Sequence, residues 1–132
     1  MNLFIVFLPI CIASLAPNSK EMSDLAEAFL TTFKTAKDSK DNQTLPTLFH
    51  EDFIMDDYGI TFNGTEWAAI LIRPDWQPDE CIYEWDGFTR GGVLSFTTNE
   101  VFKGPRRARY RTVYLARIIR GRQLNFVRGH HN

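Results

Sequence analysis

A chain of 132 residues, 44% apolar and 23% charged, has room for one domain with a modest core, and its composition excludes a disordered polymer. A formal net charge of −1 and a pI near 6.3 are not those of a typical nucleic-acid binder, so no nucleic acid is expected as a partner. Two cysteines exclude a disulfide-stapled scaffold, so the fold must rest on its core.

Residues 1–16 differ from everything that follows. No charge falls between Leu3 and Leu15, and Leu3-Phe4-Ile5-Val6-Phe7-Leu8 is a strongly apolar run. Pro9 breaks a long helix, and the stretch is shorter than the roughly 20 residues that cross a bilayer. Small residues then fall at cleavage spacing, Cys11 and Ala13 or Ser14 and Ala16. The pattern predicts a signal peptide cut after Ala13 or Ala16, a secreted domain over 17–132, and no membrane anchor once the signal is removed. Asn42-Gln43-Thr44 and Asn63-Gly64-Thr65 are glycosylation sequons, which fits export. Cleavage removes Cys11 and leaves Cys81 alone, either buried as a small hydrophobe or paired with another chain.

Within the mature part the charges are segregated. Residues 17–100 hold all 16 acidic groups against six basic ones, a balance of −10, while residues 101–132 hold nine basic groups and no acid, a balance of +9. The first element is a helix, with Met22, Leu25, Ala26, Phe29, Leu30 and Phe33 on one face. Asn18 and Glu21 have the spacing of a capping box, and the polar run 37–42 ends the helix. A short second helix begins near Thr44, with Pro46 in its first turn and Leu45, Leu48 and Phe49 inward.

From Asp52 the period becomes two. Residues 53–58 form a strand, Gly59 turns it, and Ile60-Thr61-Phe62 returns as a short partner. Thr65 is the expected cap of a third helix that turns Trp67, Ile70 and Leu71 one way before Pro74. The rest is strand: 81–88, 93–102, 107–119 and 122–128, joined by turns at 90–92, 103–106 and 120–121. The sequence thus predicts an α+β domain closed by a four-stranded antiparallel meander.

Two N-terminal helices, the link Leu48-Phe49-His50-Glu51-Asp52-Phe53, a short third helix and a closing meander resemble the nuclear transport factor 2-like superfamily over roughly residues 20–129, closest to its small secreted members. The resemblance implies a cone, with a curved antiparallel sheet wrapped around the helices. That superfamily holds ketosteroid isomerase-like enzymes, dehydratases and non-catalytic binding modules, so fold alone selects no activity.

Asp56 and Asp57 lie on opposite faces of the first strand, and one of them beside Tyr58 is a candidate interior base. His50, in the helix-to-strand link, is expected to satisfy the terminal carbonyls of the second helix rather than act as a base. Alternation in the long strand puts Tyr110, Thr112, Tyr114 and Ala116 on one face, where Tyr110 and Tyr114, with Trp85 as neighbour, would line a cavity for a small apolar ligand or pack as core. The other face carries Val113 and Leu115 among Arg107, Arg109, Arg111 and Arg117. It fits a homodimer contact, a solvated surface or an anion-binding surface. His130-His131 lack further ligands and read as a frayed tail. No metal site and no cofactor are expected. The function implied is a secreted, non-catalytic binding domain, with an isomerase- or dehydratase-like enzyme and an extracellular polyanion binder as alternatives.

Overall fold

In the computed structural model, residues 19–88, 91–119 and 123–132 are described. The expected signal segment 1–16 and Asn18 lie outside them. Among the described residues no helix is long and apolar enough to cross a membrane.

Helix α1 spans Ser19–Asp38 and buries Ala26, Phe29, Phe33, Ala36 and Lys37. The apolar stripe therefore runs a full turn further than expected. Lys37 was assigned to the terminating polar run, yet its position four after Phe33 carries it onto the inner face, where it is only 9% exposed. Helix α2 is a single turn, Thr44–Thr47, entered where the Asp41 carboxylate accepts the amides of Gln43 and Thr44. Those amides hold the Asp41 carboxyl below its ordinary range.

Strand β1 begins at once, Phe49–Asp57, earlier than the period change suggested, and turns into β2, Ile60–Asn63. Helix α3, Gly64–Leu71, is capped by Asn63 rather than Thr65. The Asn63 side chain accepts the Glu66 amide at 2.8 Å, and the Glu66 carboxylate accepts the Asn63 amide at 2.9 Å. Gly64 stands there because a Cβ would run into the Phe49 side chain.

The meander follows as β3 (Glu80–Phe88), β4 (Val93–Phe102), β5 (Ala108–Ile119) and β6 (Gln123–His131). The six strands form one curved sheet in the order β2-β1-β6-β5-β4-β3, antiparallel except where β6 runs parallel to β1. Register breaks at Trp85/Gly87 and Leu115/Ala116 add curvature, and Gly87 meets the first with φ near 101°.

Helix α1 packs on the concave face. Phe126, fully buried, touches the rings of Phe29, Phe33, Phe49, Phe96 and Tyr114 at centroid distances of 4.8–6.0 Å. The registers set concave side chains in rows. Trp85, Phe96, Tyr114, Gly129 and Met55 form an apolar row; Tyr83, Thr98, Thr112, His131 and Asp57 form the next. Cys81, Glu100 and Tyr110 form a third. The wall thus passes from aromatic to polar toward the end where Lys37 and the loop 72–79 lie.

Candidate functional site in the cone

The middle row ends in a contact that joins the last strand to the first. His131 Nδ1 lies 2.9 Å from Asp57 Oδ1, and the ring is 3% exposed. Facing a carboxylate, Nδ1 carries a proton and donates, which leaves Nε2 as the ring's second polar atom. Nε2 is buried and has no hydrogen-bond partner among the described residues. Aromatic groups fix the ring: Tyr110 stacks on it at 5.2 Å, Trp76 meets it edge-on at 5.3 Å, and Trp67 lies at 5.7 Å. Trp67 Nε1 in turn donates to the Tyr114 hydroxyl at 3.0 Å.

Beside it, Glu100 Oε1 accepts the hydroxyls of Thr98 at 2.7 Å and Thr112 at 3.0 Å, while Oε2 is buried without a partner. Burial raises the Glu100 carboxyl above its ordinary value against the pull of those two hydroxyls and of Lys37 and His131. Glu100 therefore keeps its proton to a higher pH than a solvated carboxyl does, and while protonated it can donate through the free oxygen.

Lys37 comes from α1. Its Nζ donates to Cys81 Sγ at 3.3 Å and lies 4.6 Å from the centre of the Tyr83 ring. Burial, then the neighbouring Cys81, raises the Tyr83 phenol far above its ordinary value, so the hydroxyl stays protonated, and it too is buried without a partner. Burial raises Tyr114 in the same direction.

Two cavities open on this wall. One, about 220 Å³, lies between Lys37, Leu71, Trp76, Cys81, Tyr83 and Glu100. The other, about 180 Å³, lies between Asp57, Phe62, Trp67, Ile70, Trp76 and His131. Trp76 borders both, held on a loop that the Asp79 amide ties to Val101 O at 2.9 Å and the Asp79 carboxylate ties to the Lys103 amide at 2.6 Å. A larger, shallower groove of about 440 Å³ between α1 and the start of β6 contains none of the partnerless buried atoms.

The residues singled out by sequence separate accordingly. Asp57 reaches the wall, where it orients His131. Asp56 faces outward, accepting the Gly59 amide at 2.9 Å and lying 3.6 Å from His130 Nδ1. Tyr58 sits at the turn with φ 52° and is 67% exposed, and its ring lies edge-on to that of His131, the partner of Asp57, at 6.0 Å. Tyr110 and Tyr114 belong to the wall; Trp85 lies in the apolar row against Phe88 and borders neither cavity.

Two expectations are corrected by position. His131 is no frayed tail: β6 runs to its end because β1 offers a parallel partner, Asp57 against His131. His50 lies within β1, and its Nδ1 accepts the Asp52 amide at 3.1 Å instead of donating to helix carbonyls. Half-buried His50 with exposed Glu51 and Asp52 brings three ligand atoms within 4.8 Å, with the Asp52 amide bonded to the histidine's Nδ1. Cys81 is half-buried against Lys37, neither a core residue nor a surface one. Asn42 and Asn63 are both exposed.

No protein-family model matches the chain, and no curated protein sequence matches it. Solved structures do. A ketosteroid isomerase-like protein from Erwinia carotovora superposes with a TM-score of 0.56 at 15% identity, covering 80% of this chain and 90% of its own. A protein of unknown function from Rhodospirillum rubrum, described as nuclear transport factor 2-like, gives 0.63 at 15% identity, covering 80% and 95%. Another so described, from Silicibacter pomeroyi, gives 0.64 at 13%, covering 88% and 98%. The fold is nuclear transport factor 2-like. In that nuclear transport factor 2-like cone, Lys37, Cys81, Tyr83, Glu100 and His131 all line the inner wall. Sequence reasoning passed over Lys37, Glu100 and His131 as site residues. The only signal for Glu100 was alternation, which sets it on the same face as Thr98 and Phe96.

Proposed function

We propose that this is a secreted, non-catalytic domain that binds a small, partly apolar molecule inside the cone, against Trp76, Tyr110, His131 and Glu100. One observation carries the reading: three buried polar atoms without partners, His131 Nε2, Glu100 Oε2 and Tyr83 Oη, belong to residues bordering the two cavities. Such an atom costs about 1–3 kcal/mol of desolvation that an occupant with matching groups recovers. Aromatic walls with a few convergent polar groups are the usual composition of a small-molecule site. Native mass spectrometry of protein secreted from a eukaryotic culture tests this. A co-purifying small mass lost on denaturation supports it; empty protein that no compound of a broad metabolite panel stabilises against heat rejects it.

A second reading has its own observation. Asp57 holds His131 as a carboxylate holds a general base, with Glu100 as a nearby acid, and one structural neighbour is named ketosteroid isomerase-like. That arrangement suits an isomerase or dehydratase. Turnover of a ligand found by mass spectrometry, abolished by His131→Gln, would select it.

We also propose that the convex face of the sheet receives a second copy of the chain. Exposed Ile82, Glu84 and Asp86 on β3 flank half-buried Val113 and Leu115, with exposed Arg111, Arg117 and Arg128 beyond. Under a two-fold axis the acidic flank of one copy meets the basic flank of the other.

A further inference from the structure

The larger-walled of the two wall cavities has a chemical bias that narrows what it can take. Its buried polar groups include a cation and a hydroxyl donor. Lys37 is an ammonium with three N–H bonds, of which Cys81 Sγ takes one. The Tyr83 hydroxyl is buried and partnerless, as is Glu100 Oε2, whose sister oxygen already accepts two threonine hydroxyls. Lys37 and Glu100 are both more than nine-tenths buried, on facing elements, α1 and β4. Apolar surface from Leu71, Trp76 and Pro78 completes the lining.

The remaining charges lie toward the rim. Lys34 is exposed and lies 5.5 Å from the Tyr83 ring centre; Asp38 is exposed at the end of α1. Asp79 is exposed, and its Oδ2 accepts the Lys103 amide. Asp38 and Asp79 border the cavity as well, but both are exposed, whereas the Lys37 cation and the Tyr83 hydroxyl are buried. The buried end is therefore a site for an oxyanion, and the adjoining apolar surface requires that the oxyanion carry an apolar body.

Resting on the small-molecule reading above, we infer that this cavity binds a small monocarboxylic acid with an apolar body, its carboxylate on Lys37, the Tyr83 hydroxyl and Glu100 Oε2, and its body against Trp76 and Leu71. A space of about 220 Å³ fits one ring or a short chain behind the carboxylate. A dicarboxylate would leave its second charge against Leu71 and Trp76, so it is disfavoured.

The test is calorimetric titration of the full-length secreted protein with phenylacetate and hexanoate, against their uncharged counterparts phenylacetamide and hexanamide. The acids should bind about tenfold or more tighter than the amides, because only they set a negative charge against the Lys37 ammonium. Tyr83→Phe removes a hydroxyl that has no hydrogen-bond partner among the described residues. It should weaken the acids about five- to tenfold and leave the thermal midpoint unchanged or raised. Lys37→Met should weaken them further; if it fails to fold, Tyr83→Phe decides alone. Equal affinity for acids and amides overturns the carboxylate inference and leaves the small-molecule reading standing. Acid binding that Tyr83→Phe does not alter also overturns it. Binding of none of the four overturns it too, and the co-purified mass then judges the broader reading independently.

Discussion

His131 Nδ1 and Asp57 Oδ1, 2.9 Å apart, belong to residues 74 positions apart in sequence that sit directly opposite one another where β6 runs parallel to β1. This single contact orients the ring on the inner wall and fastens the C-terminal strand. Asp57→Ala leaves a buried imidazole nitrogen without its acceptor and should cost about 1–3 kcal/mol, read from urea unfolding. Asp57→Asn keeps an acceptor and should cost less. Equal losses would mean that only a carboxylate, and not any oxygen acceptor, holds the ring; no loss in either variant would mean that the contact contributes nothing.

Glu100 makes stability depend on pH in a definite direction. Its folded pKa is raised, so between the ordinary carboxylate range and that raised value the folded protein binds more protons than the unfolded chain. Its contribution is full below the unfolded value and is lost as pH rises through the folded one. Glu100→Gln keeps the oxygen that Thr98 and Thr112 bond and removes the titration. Thermal unfolding followed from about pH 4 to about pH 8 should show the variant gaining on the parent as pH rises. A constant difference across that range would show that Glu100 is not the group responsible.

Phe126 is fully buried and meets five aromatic rings, which makes it the position where α1, β1 and the meander share one side chain. Phe126→Ala should cost about 3–5 kcal/mol, the range for removing a large core ring, measured by denaturant midpoint. Phe88→Ala, at a half-buried ring near the end of β3, should cost clearly less.

Asn63 has two separable roles. Its side-chain oxygen caps α3, while its amide nitrogen is the atom a glycan would occupy. Asn63→Asp keeps the cap and removes the sequon; Asn63→Ala removes both and should lose about 1 kcal/mol of stability. In secreted protein, both substitutions should abolish one glycosidase-sensitive mass shift, and Asn42→Gln should abolish another. No shift in secreted protein would reject glycosylation at these sites.

Sedimentation should find two copies at micromolar concentration if the convex face pairs as proposed. Leu115→Glu should return the protein to one copy, and high salt should weaken the pairing by screening the opposed acidic and basic flanks. A single species at every concentration rejects the interface.

Periodicity carried most of the elements, because local sequence sets which side of a helix or strand is apolar. Met22 to Phe33 marked α1, the turn at Gly59 marked the β1–β2 pair, and alternation separated Tyr114 from Val113. It misplaced Lys37 and His131 for one reason. A charged or polar residue near the end of an element looks like solvent-facing punctuation until something across the chain covers it. For Lys37 that cover is Cys81 and the Tyr83 ring; for His131 it is Asp57, Tyr110 and Trp76.

Sequence by itself determined that this chain makes one α+β domain with an amphipathic helix and a strand meander, since those follow from spacing between near neighbours. Only the tertiary structure decided that β6 would pair in parallel with β1, and so bring His131, Glu100, Tyr83 and Lys37 to one wall. That pairing joins residues more than seventy positions apart. In its register Met55 lies against Gly129, where a Cβ would collide with the Met55 side chain, and no local period encodes the match.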